Sequence, residues 1–566
     1  MAGLIEVALG RRPAEVLIKN ARVINVYTLE LERADIAIWH GWIAGIGRYN
    51  QAEAERVIDA RGLYAAPRFI DAHIHIESTF LTPGEFARAV VPRGTGAVIA
   101  DPHEIANVCG LEGLKFMLEN SQDLPLDVFY MVPSCVPASA YEASGAQLGL
   151  EEVREALGWE GILGLGEMMN YPGVLGQDPE VLAKLRAASD QGKPIDGHAP
   201  SLAGKELNAY LAAGPASDHE TVAREEAWEK LRRGMVIQIR EGSSEHNLRE
   251  LVPLVNERNA HRFTFASDDR SPRDLLRQGH LDHTLRLAVA AGLDPLLAVQ
   301  LATLNPAQFY GLNDRGALAP GKRADIVLLR DLEGFEAELV LHRGQVVAER
   351  GRPLFTPRLR AADTVRRTVN LKLNPEDLRT GAEYAAKLVI KLIPGQILTE
   401  RGTESPRIVN GEALADPERD VLKLVLVERH RASGRVGKGF VQGFGLKRGA
   451  LASSVAHDAH NLIAVGVSDA DIFRAIRRVA ELDGGLVVVA DEEVLAELPL
   501  PLAGLHSDRP AAEVAGALER VLEATHELGS LLEDPFAALS FLALSVIPQL
   551  RLTVDGLLDV HRWELI

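Results

Sequence analysis

The stretch that decides the fold is Phe69-Ile70-Asp71-Ala72-His73-Ile74-His75-Ile76-Glu77. Its apolar residues predict a buried strand that ends in two histidines two residues apart. Because side chains alternate between the two faces of a strand, His73 and His75 point the same way. Two imidazoles side by side at a strand end suit two nitrogen ligands for one metal ion. A histidine pair on an ordinary polar strand face is the alternative, and the motif alone does not choose between them.

Eight short apolar runs follow one another between residues 69 and 310, and segments of helical periodicity fill most of the intervals. The runs are Phe69–His73, Ala97–Ala100, Val128–Val132, Ile162–Leu165, Pro194–Asp196, Pro215–Ser217, Met235–Ile239 and Phe263–Ala266. Eight strand–helix units over roughly 240 residues match the size of a (β/α)8 TIM-like barrel, an α/β fold. An open doubly wound sheet is the alternative, but the sequence has no glycine-rich phosphate turn after the first strand.

Segments with strand character flank the predicted barrel on both sides. Hairpin patterns occur before residue 66 and again after residue 311. We therefore expect a small β-sandwich built from residues 1–66 and 311–360, with the hydrolase-like barrel of residues 67–310 inserted between them. Residues 361–566, where strands alternate with helices, predict an additional C-terminal α/β domain. At ~150 residues per domain, a chain of 566 residues has room for this organisation.

Composition excludes several functional classes. The chain carries 61 basic and 79 acidic residues, for a formal net charge of −18. This balance argues against nucleic acid or an anionic membrane as the main partner. The two cysteines, Cys109 and Cys135, are too few for a disulfide framework or a cysteine-rich zinc site, and they fit a reducing cytoplasm. We therefore expect a cytoplasmic protein that binds neither nucleic acid nor membranes.

Polar residues lie where the predicted strands end. In chain order they are His73, His75, Asp101, His103, Ser134, Glu167, His198, His219, Arg240 and Asp268. The carboxyl ends of barrel strands form the active face of such folds, so these side chains should converge at one mouth. A buried polar group that satisfies the backbone could account for any single member. It accounts poorly for the whole set.

The donor types in this set favour a centre with two divalent cations. Neutral nitrogen would come from His73, His75, His198 and His219, a bridging carboxylate from Glu167, and a terminal carboxylate from Asp268. Two cations ~3.5–4 Å apart that share a water would lower the pKa of that water towards ~7. Asp268 could ligate one cation and also accept the proton of the attacking water. The sequence thus predicts metal-assisted hydrolysis, with Zn, Mn and Fe all compatible with the donors.

The C-terminal region contains a second histidine motif, Ser453-Ser454-Val455-Ala456-His457-Asp458-Ala459-His460-Asn461. Its two histidines could bind a metal ion or reach into the mouth of the barrel. A polar loop that satisfies its own backbone is the alternative interpretation.

The strand-end residues resemble the metal set of the amidohydrolase superfamily, whose barrels are typically flanked by β segments. Many members carry a carbamylated lysine after the fourth strand, and here Glu167 takes that place, which disfavours a dihydropyrimidinase or dihydroorotase. The closer resemblance is to bacterial-type adenine deaminases. It is carried by residues 69–78, 101–108, 164–170, 197–200, 217–220 and 266–270, and by C-terminal residues 393–397, 455–461 and 502–505.

The resemblance implies hydrolysis of adenine to hypoxanthine and ammonia in purine salvage, with two Mn²⁺ or Fe²⁺ ions as cofactors and Zn²⁺ less expected. A hydroxide that bridges the cations would attack C6 of the purine, and Asp268 would carry the proton to the departing amine. Asp101 or Glu104 would protonate a ring nitrogen, with His103 as a third choice or an extra metal ligand.

The expected catalytic residues are accordingly Asp268, Glu167, Asp101 and Glu104, and the expected substrate contacts are Asp101, Glu104, Arg240 and Asp269. We expect a homodimer that takes adenine as its small-molecule substrate. Another amidohydrolase, acting on a different aminopurine or a cyclic amide, and a non-catalytic binding protein are the remaining alternatives.

Overall fold

The structure is a computed structural model that describes residues 1–50, 54–386, 388–393, 396–402 and 404–566. Pro394 and Gly395, within the motif at residues 393–397, lie outside the described residues. The chain begins with helix α1 (Ala2–Ala8) and strands β1 (Ala14–Asn25), β2 (Glu30–Trp39), β3 (Trp42–Gly47), β4 (Ala54–Asp59) and β5 (Tyr64–Pro67).

All eight predicted apolar runs form parallel strands, with ends that differ by a few residues from the predictions. They are β6 (Phe69–His75), β7 (Thr95–Ala100), β8 (Asp127–Val132), β9 (Ile162–Met168), β10 (Ile195–Gly197), β11 (Ser217–Asp218), β12 (Val236–Arg240) and β13 (Phe263–Ala266), followed by the short β14 (Asp268–Asp269). One sheet has the order β10-β9-β8-β7-β6-β14 and a second the order β11-β12-β13. The N–H of Ala216 donates to the carbonyl of Ile195, which links the two sheets at β10. The result is a curled parallel sheet consistent with a TIM-like barrel.

Helices fill the intervals between these strands. They are α2 (Pro83–Val90), α3 (His103–Cys109), α4 (Leu111–Asn120), α5 (Leu150–Leu157), α6 (Tyr171–Leu175), α7 (Pro179–Ser189), α8 (Gly204–Ala212), α9 (Arg224–Arg232), α10 (Leu248–Leu251), α11 (Pro272–Arg277), α12 (Leu281–Ala290), α13 (Pro295–Leu301) and α14 (Leu304–Phe309). Helix α7 begins where the sequence predicts, because Asp178 caps the N–H groups of Glu180 and Val181. Helix α9 begins after Thr221, whose hydroxyl donates to Asp218 of the preceding strand β11. Among the described residues, no helix combines the length and apolar character needed to cross a bilayer.

The two flanks of the barrel share one sheet. After the barrel come β15 (Ile326–Leu329), β16 (Ala337–His342), β17 (Gln345–Glu349) and β18 (Arg352–Pro353). The sheet order is β18-β17-β16-β15-β5-β1-β2-β3, with β4 paired to β1. The antiparallel pairing of β15 with β5 joins the two flanks, and Ile36, Ile326 and Leu341 lie in one apolar cluster beneath it. Strands from both flanks of the barrel therefore share one sheet.

The C-terminal part is built around an eight-stranded sheet of order β20-β19-β24-β23-β26-β25-β27-β28. Its elements are β19 (Val389–Leu392), β20 (Thr399–Gly402), β21 (Arg407–Val409), β22 (Glu412–Leu414), β23 (Leu422–Val427), β24 (Val436–Gln442), β25 (Ala450–Ser453), β26 (Leu462–Gly466), α15 (Asp469–Glu481), β27 (Gly485–Ala490), β28 (Glu493–Pro499), α16 (Ala511–Glu527), α17 (Pro535–Phe541), β29 (Leu550–Thr553), β30 (Gly556–Asp559) and β31 (Glu564–Leu565).

Alternation of side chains along β25 gives this sheet two apolar faces. Ala452 packs in a cluster with Ile476 of α15, whereas its neighbour Leu451 belongs to a cluster that includes Val514 of α16. That second cluster continues without a break into the barrel, where it includes Ile74 of β6. The C-terminal part is thus packed against the barrel, and its loops reach the ends of the barrel strands.

Candidate metal centre and active site

His73 and His75 lie side by side at the end of β6, as the spacing predicts. Both are almost fully buried, and their Nε2 atoms are 3.1 Å apart. The Nδ1 of His75 is 2.8 Å from the backbone carbonyl of Asp101, which can only accept a hydrogen bond. In the neutral ring this contact leaves the lone pair on Nε2, aimed into the site.

Glu167, at the end of β9, lies between histidines from three other strand ends. Its Oε2 is 2.7 Å from Nδ1 of His198 and 3.3 Å from Nε2 of His219, while its Oε1 is 3.3 Å from Nε2 of His75. The two oxygens therefore face different donors. This is the placement expected of a carboxylate that bridges two cations.

Asp268 approaches the same point from β14, the short strand that follows β13. Its Oδ1 is 3.2 Å from Nε2 of His75 and 3.6 Å from Nε2 of His73, and its Oδ2 accepts from the guanidinium of Arg240 at 2.5 Å. The residue has a left-handed backbone, with φ of 53°. Aspartate adopts this conformation more readily than most residues, and here it turns the carboxylate inward.

Three overlapping groups of buried donors could each hold a metal ion. The ligand atoms of each group lie within 4.8 Å of one another, and the groups are His73, Glu167 and His219; His73, His75 and Asp268; and His75, His103 and Glu167. Among the residues that the structure describes, Nδ1 of His103 and Nδ1 of His219 are buried without a hydrogen-bond partner. Imidazole nitrogens and carboxylate oxygens are the donors that divalent transition metals take, so the residues fit such ions. His103, the third choice from sequence, lies among these donors.

The histidines and carboxylates of this centre shift one another's pKa values. Burial would raise the pKa of Glu167, but the hydrogen bond and charge of His198, together with hydrogen bonds from His219 and His75, outweigh burial and hold that pKa well below its usual range. Burial likewise opposes charge on His219, yet the adjacent Glu167 raises the pKa of this histidine to about 9. A metal ion must displace such protons when it binds, so its affinity should increase with pH.

Asp101 forms a hydrogen bond with the backbone of Glu167. Its Oδ2 accepts the backbone N–H of Glu167 at 2.8 Å, and the side chain is 1% exposed. The other oxygen, Oδ1, is 3.9 Å from Nδ1 of His103 and has no hydrogen-bond partner among the described residues. One oxygen of Asp101 thus binds the backbone of Glu167, and the other lies near His103. Its predicted role as a proton donor stays a prediction.

Glu104 lies three residues after Asp101, at the start of α3, and contacts the C-terminal part of the chain. Its carboxylate is 3.0 Å from Nδ1 of His457 and 3.8 Å from Nε2 of His460. A cavity of about 360 Å³ opens here and is lined by both parts of the chain, with Glu104, His457, Asp269 and Ser78 in its wall. The histidines at 457 and 460 therefore do reach the mouth of the barrel, one of the three interpretations that their sequence left open.

The two remaining predicted substrate contacts are engaged with protein groups. Arg240 is 4% exposed and forms ion pairs with Asp268 and with Glu220. Asp269 lines the cavity and accepts a hydrogen bond from the hydroxyl of Ser78. Arg240 is thus placed to orient Asp268, and Asp269 stays a predicted substrate contact.

Sequence reasoning did not find the residues that support these ligands. Lys230, on α9, is fully buried and donates to Asp218, which immediately precedes His219. Similarly, His280 lies in the loop before α12, and its Nε2 is 2.8 Å from Oδ2 of Asp71 on β6. The one available signal was the Asp218–His219 pair, because a carboxylate next to a ligand histidine needs a cation or donors when it is buried.

Comparison with known proteins assigns the chain to a family. Residues 64–347 match the amidohydrolase family, and residues 396–564 match the adenine deaminase C-terminal domain. The adenine deaminase of Dehalococcoides mccartyi is 47% identical over 567 aligned residues, which cover 100% of this chain and 99% of the relative. The chain belongs to the adenine deaminase family.

Other members of the family show the same extent of similarity. The adenine deaminase of Archaeoglobus fulgidus is 49% identical, with 100% of this chain and 97% of the relative covered. Adenine deaminase 2 of Carboxydothermus hydrogenoformans is 47% identical, with 100% and 98% covered. The resemblance found in the sequence motifs is therefore confirmed. The amidohydrolase family is metal-dependent, in agreement with the donor groups at the strand ends.

Proposed function

We propose that this protein hydrolyses adenine to hypoxanthine and ammonia at the strand-end metal centre. One observation carries the proposal: donors from separate strand ends meet at one point in a chain that aligns along its whole length with adenine deaminases. The proposed metal ligands are His73, His75, Glu167, His198, His219 and Asp268. Water adds to C6 of the purine, the bond from C6 to the exocyclic nitrogen breaks, and one ammonia leaves per adenine.

Two divalent ions, Mn²⁺ or Fe²⁺, are the proposed cofactors. The donor set contains nitrogen and oxygen atoms and no thiolate, which suits these ions, and Zn²⁺ is the less expected choice. When bound, such ions lower the pKa of water towards ~7 and so supply a nucleophile at neutral pH. The contacts of Glu167 with histidines on both of its oxygens support a centre that holds two ions.

Asp268 is the proposed base and proton carrier. Its Oδ1 faces His75 at 3.2 Å, and Arg240 holds its Oδ2, so the carboxylate has one fixed orientation. From there it can take the proton of the attacking water and deliver it to the amine that leaves C6. An orientation fixed before the reaction removes part of the entropic cost of the transfer.

Protonation of the purine ring is proposed for Asp101 or Glu104. As C6 becomes tetrahedral, negative charge develops on the ring, and a carboxyl group at the ring edge can neutralise it. Glu104 lines the cavity of about 360 Å³, which is large enough for a purine base. Asp269 lies in the same wall and is proposed to contact the substrate. Arg240, which forms an ion pair with Asp268, is the other proposed substrate contact.

The finer architecture is also a proposal. Pairing of β14 with β6, together with the link between β10 and β11, supports a closed (β/α)8 barrel over residues 67–310. The sheet shared by residues 1–66 and 311–360 supports the flanking β-sandwich, and residues 361–566 form the C-terminal domain. The homodimer, the cytoplasmic location and the place in purine salvage stay predictions.

The test is to load the protein with Mn²⁺ and, separately, with Fe²⁺, and to follow adenine by absorbance and ammonia by a coupled assay. Conversion should occur, stop on addition of a chelator, and fall by at least 10²-fold in Asp268→Asn. Protein that holds two ions per chain and leaves adenine unchanged would refute the proposed substrate and favour another aminopurine or a cyclic amide.

A further inference from the structure

Glu104 belongs to the barrel, but its nearest polar neighbours come from the C-terminal part of the chain. Nδ1 of His457 is 3.0 Å from Oε1 of Glu104, a hydrogen-bond distance, and Nε2 of His460 faces Oε2 from 3.8 Å. Glu104 is 1% exposed and His460 is fully buried. The strand-end donors all lie between residues 73 and 268, so this contact is one way in which the C-terminal part enters the site.

The three side chains could form a further metal site, since their ligand atoms lie within 4.8 Å of one another. The backbone argues against it. The N–H of Ala456 donates to Nδ1 of His460 at 3.2 Å, so Nδ1 carries a lone pair and Nε2 of the neutral ring carries the hydrogen. A nitrogen that carries hydrogen donates and does not ligate. Nε2 therefore carries an N–H that faces Oε2 of Glu104 from 3.8 Å, beyond hydrogen-bond distance, and the trio does not present three lone pairs to a metal ion.

His457 is held in place by contacts that do not involve Glu104. Its ring stacks on Phe541 with 4.7 Å between centroids and 19° between planes. In the same loop, the carbonyl of Ala459 accepts from Nε2 of His430 at 2.8 Å, and the side-chain amide of Asn461 donates to the carbonyl of Ala143 at 3.0 Å. The loop is thus fixed on both sides, and His457 reaches Glu104 from a rigid support.

We propose that His457 is a positioning residue that orients the Glu104 carboxylate for its part in the reaction. The proposal rests on the function proposed above. With Oε1 engaged by His457, the free oxygen is Oε2, which is buried and has no hydrogen-bond partner among the described residues. The carboxyl group then has one defined rotation at the cavity wall. The C-terminal part of the chain thereby sets the geometry of a group in the barrel.

The experiment compares the full-length, Mn²⁺-loaded protein with three variants: His457→Ala, His457→Asn and His561→Ala. We expect His457→Ala to lower kcat for adenine by about 10²-fold with KM changed by less than about threefold, because proton transfer contributes on that scale. Asparagine places an amide N–H near the position of Nδ1, so His457→Asn should recover at least tenfold of the loss. His561 is exposed at the far C-terminus, and His561→Ala should match the wild type.

Two further readouts separate positioning from a structural or metal-binding role. Metal content should be the same in His457→Ala and in the wild type, and added imidazole should restore its activity in a saturable way, since the cavity can admit it. Wild-type kcat in His457→Ala, equal losses in the alanine and asparagine variants, or a metal equivalent lost with His457 would each overturn the proposal. A wild-type protein that leaves adenine unchanged would instead overturn the function on which it rests.

Discussion

Replacing Lys230 by methionine tests whether a buried ionic network sets the positions of His198 and His219, two histidines of the proposed metal centre. Lys230 is fully buried, and its Nζ donates to the carbonyl of Ala199 at 2.7 Å and to Oδ2 of Asp218 at 2.9 Å. The other oxygen of Asp218 accepts the N–H of Ala199 at 2.7 Å. Ala199 follows His198 and Asp218 precedes His219, so the network ties the two ligand-bearing segments together.

The expected loss of folding free energy follows from the buried charge of Asp218, which Lys230→Met leaves without a cation. Asp218 is fully buried, which would raise its pKa, but the charge of Lys230 lowers that pKa to about 2. Lys230→Met removes the cation and leaves the buried Asp218 carboxylate with only the N–H of Ala199 and the hydroxyl of Thr221 as partners, so its charge is uncompensated, a change that costs ~3–5 kcal/mol of folding free energy. Because the histidines on either side also lose their support, metal affinity should fall by roughly 10–100-fold.

Urea unfolding of chelator-treated protein measures the stability without a contribution from bound metal. The matched control is Lys115→Met, which removes an exposed lysine paired with Glu112 and should change stability by less than ~0.5 kcal/mol. The double variant Lys230→Met/Asp218→Asn should lose clearly less than the sum of the two single changes. A loss below ~1 kcal/mol in Lys230→Met, with unchanged metal affinity, would refute the reasoning.

Three further predictions concern the metal centre and its support. Glu167→Ala should reduce the bound metal, measured by elemental analysis, from two ions per chain to one or none and abolish deamination; two retained ions with full activity would contradict the bridging role. Removal of metal by a chelator should abolish activity and lower the thermal unfolding midpoint, and Mn²⁺ should restore both, because an ion that binds only the folded state stabilises it. His280→Phe removes the partner 2.8 Å from the buried Asp71 and should cost ~1–3 kcal/mol in urea unfolding; an unchanged midpoint would show that this contact carries no stability.

The strands and the clustering of polar residues at their ends were largely predictable because both depend on local patterns. Alternation along β6 puts His73 and His75 on one side, and short apolar runs mark the strands of the barrel. The carboxyl ends of parallel strands meet at one face, so polar residues after Ile162–Leu165 and Phe263–Ala266 could be brought together without coordinates. The structure moves the ends of these elements by a few residues and leaves the arrangement intact.

The contacts that tune the site were not predictable, because they depend on long-range packing. Glu104 and His457 are separated by more than three hundred residues, and only the docking of the C-terminal sheet brings them together. Asp101 was predicted to face the substrate, yet one of its oxygens accepts the backbone N–H of Glu167. Which way a buried carboxylate turns depends on the donors around it, and those donors come from other strands. Sequence therefore identifies the residues of the site better than it identifies their partners.

The central claim is that metal-loaded protein adds water to C6 of adenine and releases the amine. The most direct test is turnover of adenine by the Mn²⁺-loaded protein in ¹⁸O-labelled water, with mass analysis of the product and a count of ammonia. The account predicts hypoxanthine with one ¹⁸O atom and one ammonia per adenine consumed. Neither product should form after a chelator has removed the metal. Adenine that remains unchanged in protein shown to hold two ions, or product formed equally well after the metal is removed, would contradict it.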